Sequence, residues 1–406
     1  MECRASLDGP MRLRQSPTDP RFVQDPYPFY ARARAQGDLH WWEDYDLMAA
    51  FSHDAVQTIL KDRRFGREVP AELAEPVPAH LRPFYAIEDH SMLELEAPRH
   101  TRLRGLVLRA FTSRRIAGLA PEIEALAHRL IDAFPEDGFD LLPAFAAPLP
   151  VIVIARLLGV PEAMAPQLLG WSNAMVAMYQ ARRDRAVEEA AATAARDFAA
   201  YLGDYIAARR TDPCDDLITE LIAAEQEGER LSTEEMIATC VLLLNAGHEA
   251  TVHTIGNGVA NLLSAPLPAP PATWLAPDRV DGTVEEILRH DPPLHMFTRH
   301  AYEEVTLFGH TFRRGDRVAL LLGAANRDPA VWPEPDRFDP GRPVRTGSAF
   351  GGGAHFCLGA PLARLELRCA LPVLFARCPE LALAAPPRYG DTYHFHGLDS
   401  LPVRTR

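Results

Sequence analysis

Apolar positions recur at helical spacing along most of the chain, and the longest such run opens at Ser232 and continues to about Leu263. Ser232 followed by Glu235 is the signature of a capping box. The spacing predicts a helix of roughly 30 residues, about 45 Å long. From Val241 to Leu244 it is apolar on every side, the mark of a helix buried inside a large fold. Further helices are expected in "DPYPFYARARAQG", "APRHTRLRGLVLRAFT", "PEIEALAHRLIDAF", "TVEEILRH" and "LARLELRCALPVLFARC", with several Ala-rich ones across residues 143–230. "WWEDYDLMAAFSHDAVQTILKD" mixes a short strand with a helix. Residues 297–325 alternate as strands do, and the tail reads as strand and turn.

Prolines break this pattern twice. Residues 63–98 read as a long loop with short helical pieces, and residues 264–281 are too proline-rich for one continuous helix. Helices dominate, and the strands fall near the N-terminus and in the last third. The fold class is mainly α, an α+β protein built as a single large helical domain with small β-sheets over residues 21–406. Residues 1–20 are expected to be a flexible extension.

Composition narrows the partners. The 406 residues carry a formal charge of −13, which argues against general affinity for nucleic acid or an anionic membrane surface. No run of 18 apolar residues exists, so no membrane span is expected. The first twenty residues lack the apolar core of a signal peptide, and a cytoplasmic location is the default. Of the six cysteines, Cys3, Cys214, Cys240, Cys357, Cys369 and Cys378, none forms a CxxC pair.

"FGGGAHFCLG", Phe350 to Gly359, carries the chemistry. Cys357 stands just before a helix, whose free N–H groups and partial positive charge favour thiolate. The glycines let the backbone turn tightly. A nucleophile would need a base, and His355 is too local to assume that role. A structural zinc would need more Cys or His ligands at short spacing, and they are absent. Haem iron needs one protein thiolate. On residue types alone, haem ligation and a buried, inert cysteine both stay open.

The stretch resembles the haem-binding signature of the cytochrome P450 family at every fixed position, and "APLARLE" continues the resemblance. The resemblance implies the P450 fold over nearly the whole chain and haem b, with Cys357 as the axial iron ligand. It implies that Phe350 shields the sulfur, that Gly359 belongs to the haem-binding loop, and that His355 reaches a haem propionate. "HTRLR" places His100 and Arg104 on one helix face; the family points such a pair at the propionates, with Arg299 as a further partner. Glu286 and Arg289 of "EEILR" would join Arg337 of "PDRF" in a structural cluster.

"AGHEAT", Ala246 to Thr251, matches the family's oxygen-side helix motif at Ala246, Gly247 and Glu249. Gly247 costs about 1 kcal/mol relative to alanine in a helix, so something must approach the backbone there or bend it. Ala250 stands where the family has threonine, and Thr251 follows. Glu249 is either a buried carboxylate paired with a nearby base or an acid that relays protons. Thr251 lies about 100° further round the helix and cannot simply replace the missing hydroxyl. Ordered water or a hydroxyl on the substrate would complete the relay. His248 and His253 tempt a zinc reading, but they are five residues apart, and HExxH needs four.

The resemblance therefore implies a haem-thiolate monooxygenase, which inserts one oxygen atom of O2 into a C–H bond of a mostly apolar small molecule. Electrons would come from NAD(P)H through a separate ferredoxin or flavodoxin and its reductase. Arg102, Arg109, Arg114, Arg115 and Arg364 are candidates to dock that donor, or solvated arginines. A monomer is expected. The substrate pocket would draw on Met92, Leu93, Met175, Met178, residues 241–246, Leu294, Met296, Phe297 and residues 394–396; methionines at helical spacing also suit a core. A peroxide-driven peroxygenase and a non-enzymatic haem-thiolate sensor share the cysteine motif.

Overall fold

The computed structural model describes residues 10–224 and 228–405. Its axis is the helix Thr233–Ser264, the central helix. Both arms of the capping box form: Glu235 N donates to Ser232 Oγ (3.1 Å), and Ser232 N donates to Glu235 Oε2 (2.9 Å). The helices Arg82–Glu88, Pro148–Leu158, Ala165–Val176, Arg185–Thr211, Val280–His290 and Ala360–Arg377 all pack against it. Being surrounded, it must be apolar almost all round, which is what its sequence shows. Val241, Leu243 and Leu244 lie in the main core.

Beside the helices lies a six-stranded sheet, in the order Arg12–Leu13, Leu39–Trp42, Leu47–Ala50, Arg317–Leu321, Met296–Ala301, Phe65–Gly66. The expected strands of residues 297–325 supply two of its six strands and a small hairpin, Val305–Leu307 with His310–Phe312. Two smaller cores flank this sheet. The expected flexible extension divides: residues 1–9, with Cys3, lie outside the described residues. Arg12–Leu13 pairs in parallel with Trp41–Trp42.

The proline-rich segments behave as their chemistry demands. Residues 63–98 hold two short 3₁₀ turns and the helix Arg82–Glu88, and residues 264–281 contain only the turn Pro271–Trp274 before Val280–His290 begins. The sequence pattern gives no hint of Phe139–Asp140, a two-residue strand that pairs with Pro402–Arg404 near the other end of the chain.

Candidate active site

Cys357 sits two residues ahead of Gly359, the N-cap of the helix Ala360–Arg377. The amides of Gly359 and Ala360 point at its sulfur, and Arg104 and Arg364 lie close enough to favour its charge; burial outweighs all four and pushes the thiol up. The helix terminus favours the thiolate, as expected from sequence, and burial opposes it. A coordinated cation ionises a thiol outright.

Two glycines shape the loop by their conformation. Gly351 and Gly353 have φ of 69° and 67°, and a Cβ on Gly353 would lie 2.2 Å from Leu60 O. Gly359 is ordinary in backbone, but a side chain there would rest against the cysteine sulfur, 3.9 Å away. Phe350 is half-buried beneath Arg364, whose guanidinium carbon is 4.6 Å from the ring centre.

His100, Arg104, Arg299 and His355 cluster beside this loop, with partners the sequence did not disclose. His355 Nε2 lies 2.9 Å from Glu96 Oε1, and its ring centre is 4.3 Å from that of His100. Its anionic partner within the protein is thus a glutamate from the 63–98 loop. Burial, then His355, pushes His100 down to about 4. Arg104 donates to Phe356 O at 2.8 Å and so also braces the cysteine loop.

Arg299 is the unusual member. It is about 2% exposed, and its one hydrogen bond goes to Thr298 O at 2.8 Å. No carboxylate among the described residues makes an ion pair with it. Burial, then the neighbouring Arg67, pushes it down to about 10. Glu96 and Glu94 offset this only in part, and neither pairs with it; a buried guanidinium without a paired counter-charge is costly, and it suits an anionic group brought in by a ligand.

In the middle of the central helix Ala246 is exposed, and Glu249 and Ala250 are half-buried. Glu249 is held by His253 Nε2 (3.2 Å to Oε1) and His248 Nε2 (3.3 Å to Oε2). These contacts outweigh its burial and hold it well below the usual carboxylate range. Thr251 Oγ1 donates to Gly247 O at 2.8 Å, so its hydroxyl is spent within the helix. A Cβ on Gly247 would meet Ile154 Cδ1 at 2.7 Å. The neighbour that approaches this glycine is the packed helix Pro148–Leu158.

Residues 280–379 match the family model for cytochrome P450. PikC, a cytochrome P450 monooxygenase of Streptomyces venezuelae, is 38% identical over 95% of this chain and 92% of its own length. The 6-deoxyerythronolide B hydroxylase of Saccharopolyspora erythraea is 38% identical over 88% of this chain and 90% of its own. The structure of P450BioI with an acyl carrier protein ligated to hexadec-9Z-enoic acid superposes with a TM-score of 0.89, at 35% identity, covering 95% of this chain and 99% of that one.

The chain belongs to the cytochrome P450 family.

As a P450 it is a haem-iron oxidoreductase, a monooxygenase, with the P450 fold. Its residues suit a haem: a single thiol under two backbone amides, a buried arginine without an ion-pair partner among the described residues, and an exposed Ala246 in the middle of the central helix. No helix among the described residues is long and apolar enough to cross a membrane.

Several expectations need correction in this P450. Glu286 and Arg289 form a buried pair, but Arg337 gives only its backbone carbonyl, 3.1 Å from Arg289 Nη2, while its side chain is 57% exposed. Arg342 takes the third place, with Nε 3.3 Å from Glu286 Oε2. Met92, Met175 and Met178 are buried in the main core and Met296 in a sheet core. His396 is buried with Asp291, 3.5 Å away. Three of the proposed docking arginines are neutralised within the chain: Arg102 by Glu229 and Glu235, Arg115 by Asp215 and Glu220, Arg364 by Glu285.

The network around Asp291 escaped sequence reasoning. Tyr27 and Tyr389 hydroxyls donate to its two oxygens, each at 2.5 Å, and His295 and His396 close around it. Its members come from opposite ends of the chain, and no local motif joins them.

Proposed function

We propose that Cys357 is the axial iron ligand of a haem b, with His100, Arg104 and Arg299 facing its propionates and Phe350 and Gly359 lining the sulfur. His355 joins them if it exchanges Glu96 for a propionate. When bound, the haem supplies the oxidising chemistry, taking one atom of O2 into a substrate C–H bond. The chain's part is to bind and orient substrate against the Ala246–Ala250 turn and to keep the Glu249 carboxylate, held by His248 and His253, beside it. The observation that carries this reading is Cys357 at the mouth of its helix, its sulfur facing the amides of Gly359 and Ala360.

A mostly apolar substrate of medium to large size fits best. Leu294 and Phe297 are half-buried and face the sheet side of the site, and the relatives' names refer to polyketides, a mycinamicin and vitamin D(3). Electrons would come from NAD(P)H through a separate ferredoxin or flavodoxin and its reductase. Of the five arginines considered for docking, Arg109 and Arg114 remain exposed and without an ion pair among the described residues.

Cys357→Ser tests the assignment. The reduced carbonyl adduct of the parent should show the red-shifted Soret band of thiolate ligation, and the variant should lose it. A variant that keeps the band would mean another atom binds the iron.

A further inference from the structure

We propose that Asp291, His295 and His396, with the Tyr27 oxygen in the fourth place, form a structural zinc site that fastens both ends of the chain to the helix Val280–His290. The proposal does not depend on the haem reading. One oxygen of Asp291 and one nitrogen of each histidine lie within 4.8 Å of one another, on side chains no more than 3% exposed. Their separations suit an ion better than hydrogen bonds. Asp291 Oδ1 is 3.5 Å from His396 Nε2 and 3.9 Å from His295 Nε2, beyond the usual reach of an N–H···O bond. Tyr27 Oη is 3.3 Å from His295 Nε2. Donor atoms about 2.1 Å from a tetrahedral ion stand about 3.4 Å apart. The exception is Tyr27 Oη to Asp291 Oδ1, a 2.5 Å hydrogen bond that must open.

The fold holds these donors from behind, as the neighbours of metal ligands do. His295 Nδ1 is 3.0 Å from Tyr30 Oη, which leaves Nε2 for an ion. Tyr389 donates to Asp291 Oδ2 at 2.5 Å, so Oδ1 is the oxygen turned to the histidines, and its ring stacks on His396 with centres 3.9 Å apart. The backbones are tied as well: His295 N donates to His394 O, and His396 N to Pro293 O, each at 2.8 Å. Asn257 of the central helix reaches both segments, with Nδ2 donating to Asp291 O at 3.2 Å and to His396 O at 2.8 Å.

The electrostatics allow a cation. Burial disfavours protonation of both imidazoles, which leaves their lone pairs available to a metal. Arg327 stands over the Tyr27 ring, 3.3 Å from its centre, and would repel an ion. Its charge is offset by Asp336 at 3.5 Å and by Asp25 beside it. Two imidazoles and two oxygens suit zinc, and a buried site with all four positions filled by the chain is structural, not catalytic.

On binding, zinc forms bonds to Asp291 Oδ1, to the two Nε2 atoms and to Tyr27 Oη. The Tyr27 O–H bond breaks, and its proton leaves to solvent. The carboxylate and the phenolate then cancel the two charges of the ion. No electron moves, and the hydrogen bond between Tyr27 and Asp291 is exchanged for two metal bonds.

The test takes the haem-loaded enzyme, strips loosely held metal with a chelator, and titrates it with zinc chloride against a chromophoric competitor. The parent should bind one zinc per chain and release one proton. X-ray absorption at the zinc edge should show nitrogen and oxygen neighbours at about 2.0–2.2 Å and no sulfur at about 2.3 Å. His295→Gln and His396→Gln each remove a ligand and should weaken binding by about 100-fold or more. Tyr30→Phe only releases His295 Nδ1 and should weaken it by about tenfold. If the ligand variants fail to fold, the zinc neighbours in the parent and the affinity of Tyr30→Phe decide the matter. A parent that binds less than one zinc, a shell that contains sulfur, or parent-like affinity in His396→Gln or in Tyr30→Phe overturns the proposal.

Discussion

Arg289 clasps Glu286 through two nitrogens, Nε to Oε2 at 2.7 Å and Nη2 to Oε1 at 2.8 Å, with both side chains 2% exposed. The same guanidinium donates to the carbonyls of Asn326, Pro335 and Arg337. One arginine thus ties the helix Val280–His290 to the meander that leads into the cysteine loop. Removing one partner of such a pair leaves a buried charge uncompensated, which costs about 3–5 kcal/mol. Glu286→Ala and Arg289→Ala should lower the melting temperature strongly. Arg337→Ala should be nearly neutral, because only its backbone takes part, and Arg342→Ala should fall between. A penalty for Arg337→Ala equal to that for Arg289→Ala would restore the arrangement expected from sequence.

Arg299 predicts opposite effects on two forms of the protein. Without a haem its charge is buried and only partly offset by Glu96 and Glu94, so Arg299→Leu should raise the stability of the haem-free protein. With a haem, loss of a buried charge-assisted bond should weaken retention by about 2–5 kcal/mol. Haem transfer to a scavenging apoprotein measures the second effect, and thermal melts of haem-free material measure the first. A variant that keeps its haem as the parent does would remove Arg299 from the propionate assignment.

What could be read from sequence depended on how local the cause was. The central helix was legible because its capping box and apolar run are contiguous. The cysteine loop was legible because the positive φ at Gly351 and Gly353 is a demand that glycines announce. The third member of the Glu286 cluster was not, because both arginines sit in one meander and the turn of the chain decides which side chain points inward. The Asp291 network was not either: Tyr27 and Tyr389 are hundreds of residues apart, and only the fold brings their hydroxyls together. Met175 and Met296 lie on helix and strand faces whose burial against neighbours, not their spacing, decides core from pocket.

Burial of neutral histidines predicts acid sensitivity. His394 and His396 are both pushed down to about 4, mainly by burial. Between about pH 6.5 and 4 the unfolded chain binds protons that the folded chain refuses, so stability is complete above that window and falls as pH drops through it. For His396, 3% exposed, a drop from 6.5 to about 4 corresponds to about 3 kcal/mol. Melting temperature should therefore decline from pH 7 to pH 4, and His396→Gln should flatten the decline. An identical slope in the variant would show that another group governs it.

Glu88 predicts the reverse trend on the alkaline side. Burial, then the neighbouring Glu94, pushes it up to about 7, while the Tyr179 hydroxyl, donating at 2.7 Å, offsets part of this. The folded chain then holds a proton that the unfolded chain has lost, so this contribution is present below about pH 4.5 and disappears as pH rises through about 7. Glu88→Gln keeps an acceptor for Tyr179 and removes the charge. It should stabilise the protein by about 1–2 kcal/mol at pH 8 and by little at pH 5, after discounting for partial exposure. Denaturant melts at the two pH values decide it, and equal effects at both would place the cause in packing instead of charge.

Ala250 carries the last prediction. The structure removes Thr251 as a substitute, since its hydroxyl is bonded to Gly247 O at 2.8 Å. The relay must then be completed by water or by a hydroxyl on the substrate. With a substrate bearing such a hydroxyl near the oxidised carbon, the parent should couple NAD(P)H consumption to product efficiently, and Ala250→Thr should change coupling less than about twofold. With substrates lacking it, the parent should lose reducing equivalents as peroxide, and Ala250→Thr should restore coupling by about tenfold, within the range for a positioned proton donor. A parent that wastes its electrons with every hydroxylated compound tried would end the substrate-assisted account.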